Sequence, residues 1–599
     1  MHGYGQQAGE NMNLRTHWES VCLVALAALL APPEIGAAPV RSSGAPDLIL
    51  AHGNVLTVDS RDTIAQAIAI RDGKVLKVGT DKEILALADP RTTVVDLHGR
   101  TATPGLIDTH VHIADGGVAE INAIDLGDAT SVAEIVRRVK EKAAQLKAGE
   151  WIQGHGWDEG KLTEHRYVLA ADLDAVAPDN PVWLEHTTGH YGVANSYALR
   201  LGKIGADTAN PAAGTIDRNG TGAATGVLKE SAQGLVNKLI PAPTPEQWRA
   251  GIRRMIQALH REGMTAFKDP DDTQPMWDGY RSLLDTGELT VHVCVLWDAG
   301  ASVASAQKAL KIIQGLPRPP QSLGDGRLLS CGAKIFMDGS GSARTAWTYA
   351  EWRKNQTEID HGNYGYPAED PNVYRDMVRL LHRAGVNVGT HAIGERAIDW
   401  VVDTYATVLR EKPTRGLRHS IIHANLPTDH AIEVMAMLQR RYDAGVPEMQ
   451  PPFIWWIGDN YAANLSPDRM GRLEPFKTLL ARGVQWTGGS DFFVTPVAAR
   501  YGLWAAAQRE TLKGTYGLHP FGTAESVDAH AALRAYTAAA ARQLFLEDKI
   551  GSLESGKEAD IAVWDRNFYS IAPAELKDAK CEMTLFHGKV VYDSSKENP

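Results

Sequence analysis

Residues 105–113 read GLIDTHVHI, a short apolar run that ends in two histidines two positions apart. On a strand, side chains i and i+2 share a face, so His110 and His112 would point into the same space. Seven more strand-like runs follow: GMTAFKD (263–269), LTVHVCVLWD (289–298), LLSCGAKIFMD (328–338), VNVGTH (386–391), LRHSIIH (417–423), AGVPEMQ (444–450) and GVQWTGGSD (483–491). Helix-like stretches lie between them, such as DMVRLLHRAG (376–385) before VNVGTH and AIDWVVDTYATVLREK (397–412) after it. Eight strands alternating with helices predict an α/β fold, a (β/α)8 TIM-like barrel over residues 105–546, whose site is built at the C-terminal ends of the strands.

Outside this region the texture changes. DLILAHGNVLTVD (47–59) and AIAIRDGKVLKVG (67–79) alternate apolar and polar residues, with Arg71-Asp72-Gly73-Lys74 as a hairpin turn. The same alternation returns only in ADIAVWD (559–565) and MTLFHGKVVYD (583–593). Neither end has strands enough to cover two faces of a sheet, so residues 45–104 and 547–595 are expected to form one composite β-sandwich. Residues 115–244, rich in Gly and Trp and too long for one crossover helix, are expected to be an insertion capping the barrel mouth.

Composition narrows the function. The 599 residues carry 61 Lys+Arg against 72 Asp+Glu, a net charge of −11, which disfavours a nucleic-acid partner because nothing offsets phosphate repulsion. Apolar residues at 44% and charged residues at 22% are ordinary globular values. Four cysteines in so long a chain make neither a disulfide scaffold nor a Cys-rich zinc module, so any metal falls to His and carboxylate. VCLVALAALLA (21–31) is too short to span a bilayer, follows Arg15, and is followed by Gly36-Ala37-Ala38. It reads as a signal peptide over residues 1–38, with Met12 as the natural start. A periplasmic or secreted protein with no stable membrane insertion after cleavage is expected, with three cysteines left and therefore at least one free thiol.

The candidate chemistry sits at strand ends. An HxH pair alone is a weak metal signal, but Lys334, His391, His423 and Asp491 end four later strand-like runs. A bare Lys334 ammonium among cation ligands would be repelled and desolvated. His419 competes with His423, lying four residues earlier. Asp491 can bind metal and accept a proton from metal-activated water; Ser490-Asp491 also suits a helix N-cap.

The order HxH, Lys, His, His, Asp resembles the amidohydrolase superfamily. PGLIDTHVH, KIFMDGSGSARTA, THAIGERAID and GGSDFFVTP resemble amidohydrolase family 3, the branch with N-substituted formamide deformylase-like proteins, as do GHGWDEGKL, NPVWLEHTTGHYGVANSYAL and ATGVLKE; the resemblance spans about residues 47–595. It implies two divalent metals, zinc first with iron, manganese or cobalt fitting nearly as well. His110 and His112 would hold one metal, His391 and His423 the other, with a carboxylated Lys334 as the bridge. It favours His423 over His419 and places His190, in TTGHYGVAN, at the substrate carbonyl. Asp338 is expected to organise the mouth loop and, with His190 and Trp157, to border the substrate, while Trp455 and Trp456 serve as apolar walls or packing. His155 stands where the family commonly has Arg, which puts a borrowed substrate in doubt. The reading is hydrolysis of an amide, N-acyl amine or formamide, not a peptide, by metal-activated hydroxide with Asp491 as general base and acid. A cyclic amide, ester or lactone hydrolase is the alternative, and a non-catalytic binding protein on a decayed barrel a further one. The partner is a small amide-type molecule; a homodimer is compatible with the sequence.

Overall fold

Eight parallel strands follow one another around a single sheet in chain order: Leu106–Asp108, Met264–Asp272, His292–Asp298, Leu328–Phe336, Asn387–Ala392, Ser420–His423, Val446–Met449 and Thr487–Gly488. The computed structural model describes residues 44–354, 358–514 and 522–596; the expected signal peptide lies outside them. Each strand-like run of the sequence overlaps one of the eight strands, two of which, Met264–Asp272 and Asn387–Ala392, run on past it. The first and last meet through residues just beyond them. Thr109 N donates to the Gly488 carbonyl (3.1 Å), Asp491 N to that of His110 (2.7 Å) and His112 N to that of Phe492 (2.7 Å). Asp108 completes the seam, its carboxylate accepting from the Ser490 and His110 amides.

The helices outside the barrel are amphipathic for a readable reason. In Pro371–Arg383, Pro371 opens the helix, Asp370 caps it, and Tyr374, Met377, Val378 and Leu381 recur at spacings of three and four to bury one stripe against the strands. Glu395–Glu411 repeats the pattern with Ile398, Val401, Val402, Tyr405 and Leu409.

The termini supply two sheets around a shared apolar cluster that includes Leu50, Ile68, Val75, Val55, Ala102, Ile561 and Leu585. One, in the order Lys74–Gly79, Ala67–Arg71, Leu48–Ala51, Thr93–Asp96, is entirely N-terminal. The other joins both ends of the chain, with Ile561–Trp564 antiparallel to Thr101–Pro104. The Arg71–Lys74 turn places Asp72 (φ 52°) and Gly73 (φ 77°) in the left-handed region, the pairing that a two-residue hairpin turn demands.

Between the first two barrel strands, residues 124–230 form a six-stranded sheet of their own, in the order Gly214–Arg218, Ala224–Glu230, Tyr191–Ala194, Val182–His186, Ile152–Trp157, Ile124–Asp125. It touches the barrel mouth, where Thr187 Oγ1 donates to the Val494 carbonyl (2.9 Å). A disulfide joins Cys294 and Cys331 on adjacent barrel strands, and Cys581 is buried as a free thiol. No helix among the described residues is long and apolar enough to cross a membrane.

His419, the rival of His423, is built into the barrel wall. Its Nδ1 accepts from the Val388 amide (3.0 Å), which leaves Nε2 to donate to His382 Nδ1 (2.9 Å), whose own Nε2 donates to the Lys412 carbonyl (2.8 Å). Burial pushes the His419 pKa down to about 3. A histidine depressed on folding contributes stability that is full above its unfolded pKa of about 6.5 and is lost as pH falls towards 3. Urea titrations should therefore show stability falling between pH 6.5 and 4 more steeply than in His419→Gln, by up to about 1.4 kcal/mol per pH unit. Parallel acid limbs would show that His419 carries no such linkage.

Candidate active site

The six residues expected as ligands line one cavity of about 480 Å³ at the C-terminal ends of the barrel strands. The first strand stops at Asp108, so His110 and His112 are not strand neighbours; the seam with the eighth strand's extension holds them, and His112 is the N-cap of the helix Ile113–Asn122. Both Nε2 atoms nonetheless lie 3.2 Å from Asp491 Oδ1. His110, His423 and Asp491 form the tightest set, with one ligand atom from each within 4.8 Å of the others. His391 adjoins them, its ring centroid 4.4 Å from that of His423. Three residues here, His423 (φ 74°), Ala424 (φ 48°) and Asp491 (φ 55°), are left-handed, a cost tolerated where a side chain must be aimed.

Three of the four imidazoles are held neutral, the form that can bind a cation. Burial holds His110 and His391 well below the usual imidazole range and His423 at about 3, so all three are neutral. Burial works against a charged His112 as well, but the Asp491 carboxylate overrides it and raises His112 to about 9. Burial likewise opposes the Asp491 anion, yet the His110 and His112 imidazoles, each with Nε2 3.2 Å from its Oδ1, keep it well below the carboxylate range. His423 Nδ1 donates to Gln450 Oε1 (2.7 Å), and the Gln450 amide donates to the Glu448 carbonyl, which leaves His423 Nε2 a lone pair for the cavity. His391 Nε2 donates to the Gly339 carbonyl (3.1 Å), which leaves Nδ1. Both ring nitrogens of buried His110 lack a hydrogen-bond partner. An orphaned neutral imidazole beside an ionised carboxylate fits a divalent metal ion.

Lys334, 1% exposed on the fourth strand, has its Nζ 3.4 Å from Asp271 Oδ2 and 4.3 Å from the centre of the Phe336 ring. Asp271 is the penultimate residue of the second barrel strand, in DPDD (269–272), and the rule that placed the other candidates at strand ends applies to it equally. The insertion contributes Glu185, His190 and Glu230 to the cavity wall. His190 Nδ1 donates to Glu230 Oε2 (2.9 Å), and Thr345 Oγ1 holds the other carboxylate oxygen. Burial would lower His190, but the Glu230 charge raises it, so Nε2 is left as a donor for the cavity. Burial raises Glu185, to about 7, and Asp115, which favours the neutral carboxyl at both positions beside His112.

Asp338 lines the cavity, and its oxygens accept the Ile393 (3.0 Å), Gly394 (2.8 Å) and Trp347 (2.9 Å) amides. It thereby holds the mouth loop and the start of the helix Glu395–Glu411. One expectation needs correction. Trp157 is no substrate wall: it is 0% exposed within the insertion's own core, its indole donating to the Leu184 carbonyl (3.0 Å). Alternation along a Gly-rich strand does not say which face of an unassigned sheet is inward. Trp455 packs on Tyr501 and Trp504, Lys161 covers Trp456, and His155 lies outside the cavity lining. Trp157→Ala should thus cost about 3–5 kcal/mol of stability, read in chemical denaturation. Parental stability with a raised KM would return Trp157 to the substrate.

A (β/α)8 barrel that gathers histidines, a lysine and an aspartate at the C-terminal ends of its strands has the architecture of a metal-dependent hydrolase. The amidohydrolase family model matches residues 93–592, and the chain belongs to that family. With it the chain falls among metal-dependent hydrolases of carbon–nitrogen bonds in general. It is 28% identical over 562 residues to protein LONG AFTER FAR-RED 3 of Arabidopsis thaliana, covering 91% of each chain. It is also 28% identical over 576 residues to the N-substituted formamide deformylase of Arthrobacter pascens, covering 91% of this chain and 98% of the relative. A crystal structure of an uncharacterized metal-dependent hydrolase from Pyrococcus horikoshii OT3 matches 88% of this chain and 99% of its own at a TM-score of 0.67; at 24% identity that likeness shows the fold alone.

Proposed function

We propose that the chain hydrolyses the carbon–nitrogen bond of a small non-peptide amide, N-acyl amine or formamide. The observation that carries this reading is the single cavity lined by His110, His112, Lys334, His391, His423 and Asp491, with His190 facing them from the insertion. The likeness to an N-substituted formamide deformylase supports the bond type. His110, His112, His391 and His423 would hold two divalent ions, zinc first, with Lys334 as a carboxylated bridge. When bound, such a metal lowers the pKa of water from about 15.7 towards 7 and polarises a carbonyl. Asp491 accepts the proton of the attacking water and returns it to the leaving amine. His190, charged through Glu230, donates to the oxygen on which charge develops. Asp338 keeps the mouth loop in register, and the insertion sets substrate choice.

The disulfide between Cys294 and Cys331 supports export to the periplasm or outside, where such bonds persist. A mature chain that begins near residue 39 is the expected product of the native host; a chain retaining Leu23–Ala31 in the cytosol would contradict it. The activity is tested on a panel of N-formyl and N-acyl amines, with lactones and cyclic amides alongside. Turnover of an acyclic amide that disappears on chelation and returns with zinc is expected, whereas turnover confined to lactones or esters would overturn the bond assignment.

A further inference from the structure

At the floor of the barrel, opposite the cavity, His292 opens the third strand. Three groups from the C-terminal segments converge on it. Glu558 and Asp560 precede the strand Ile561–Trp564, and His587 occupies the turn between Cys581–Phe586 and Lys589–Asp593. One ligand atom from each of the four side chains lies within 4.8 Å of the others. His292 Nε2 is 2.9 Å from Asp560 Oδ2 and 3.3 Å from Glu558 Oε2, and that same Glu558 oxygen is 2.8 Å from His587 Nε2.

Protons account for only part of this arrangement: burial opposes a charged His292, Asp560 and Glu558 override it and raise the ring to about 10, and the resulting Nε2 proton reaches Asp560 at 2.9 Å. His292 Nδ1 lies 2.8 Å from the Gly326 carbonyl, which only accepts, so Nδ1 carries the ring proton and Nε2 of a neutral ring is a bare lone pair aimed at two carboxylates. A second proton on Nε2 would serve Asp560 but not Glu558 as well. Glu558 is 4% exposed, yet its Oε2 has no hydrogen-bond partner, and neither does His587 Nε2, although the two atoms are in contact. Four donor atoms therefore crowd one point without bonding one another fully. A tetrahedral ion with bonds of about 2.0–2.1 Å separates its ligand atoms by roughly 3.3 Å, close to the spacings here. Two imidazoles and two carboxylates are N and O donors that a zinc-class ion takes, and four of them leave no position open. The Gly326 carbonyl fixes the orientation of one imidazole, as second contacts do at such sites.

We propose that His292, Glu558, Asp560 and His587 bind a divalent cation of the zinc class that ties both hairpins of the C-terminal sheet to the barrel floor. This site is separate from the catalytic one and needs no activity to be seen. The experiment uses full-length protein stripped with chelator, reloaded with Zn(II) alone and read by elemental analysis and thermal melting. The double variant His110→Ala/His423→Ala, weakened at the cavity, should still take up about one zinc per chain and melt higher with it. Adding His587→Ala should abolish both the uptake and the rise in Tm, and Glu558→Gln should do the same without opening a void. No zinc bound by the double variant, or equal uptake with and without His587, would overturn the proposal and leave a protonated His292 ion pair. If the variants fail to fold, anomalous diffraction at the zinc edge from the parent protein decides, by a peak among these four side chains or its absence.

Discussion

Asp491→Asn is expected to lower turnover by at least about 10²-fold, within the 10²–10⁴ that a positioned general base contributes. The substitution keeps the shape of the side chain and leaves untouched the Asp491 backbone amide that donates to the His110 carbonyl, so the seam between first and last strands should survive. What disappears is the anion that His110 and His112 hold ionised. Melting temperature near the parental value together with the rate loss is the predicted pair of results. Near-parental rates at every pH would reduce Asp491 to a structural residue of the seam and remove the base from the mechanism.

His190→Ala is expected to cost about 2.7–4 kcal/mol in the barrier, or roughly 10²–10³-fold in turnover, the range for one lost donor to a developing oxyanion. His190 comes from the insertion and is held by Glu230, so the metal ligands on the barrel stay in place and metal content should not change. A structural histidine gives the opposite pattern, a lowered Tm with unchanged turnover per folded molecule. Measuring metal content, melting and steady-state kinetics on one preparation separates the two.

The barrel was legible because each of its strands is an apolar run bounded by turns, and because His391, His423 and Asp491 interrupt such runs where a packed core has no use for them. Element ends were less readable. The strand holding Leu106–Asp108 stops before the histidines because the closing hydrogen bonds to Gly488 and Phe492 come from residues nearly four hundred positions away. Sequence periodicity carries no trace of such a partner. Trp157 was misread for a related reason, since the insertion has its own apolar core and its large residues face that core, not the mouth. Asp271 lies outside the strand-like run 263–269, although the strand itself runs on to Asp272. The floor cluster was invisible in principle: His292, Glu558, Asp560 and His587 have no motif spacing, and only the pairing of both chain ends around the barrel brings them together.

Whether the strand-end residues hold metal is tested most directly by anomalous diffraction from crystals of the active protein. Two peaks in the cavity are predicted, one beside His110 and His112 and one beside His391 and His423, with carbamate density on Lys334 between them. A cavity without a peak in protein that still turns over substrate, or a free Lys334 amine turned to Asp271 beside a single ion, would contradict metal binding there, the first entirely and the second in its two-metal form.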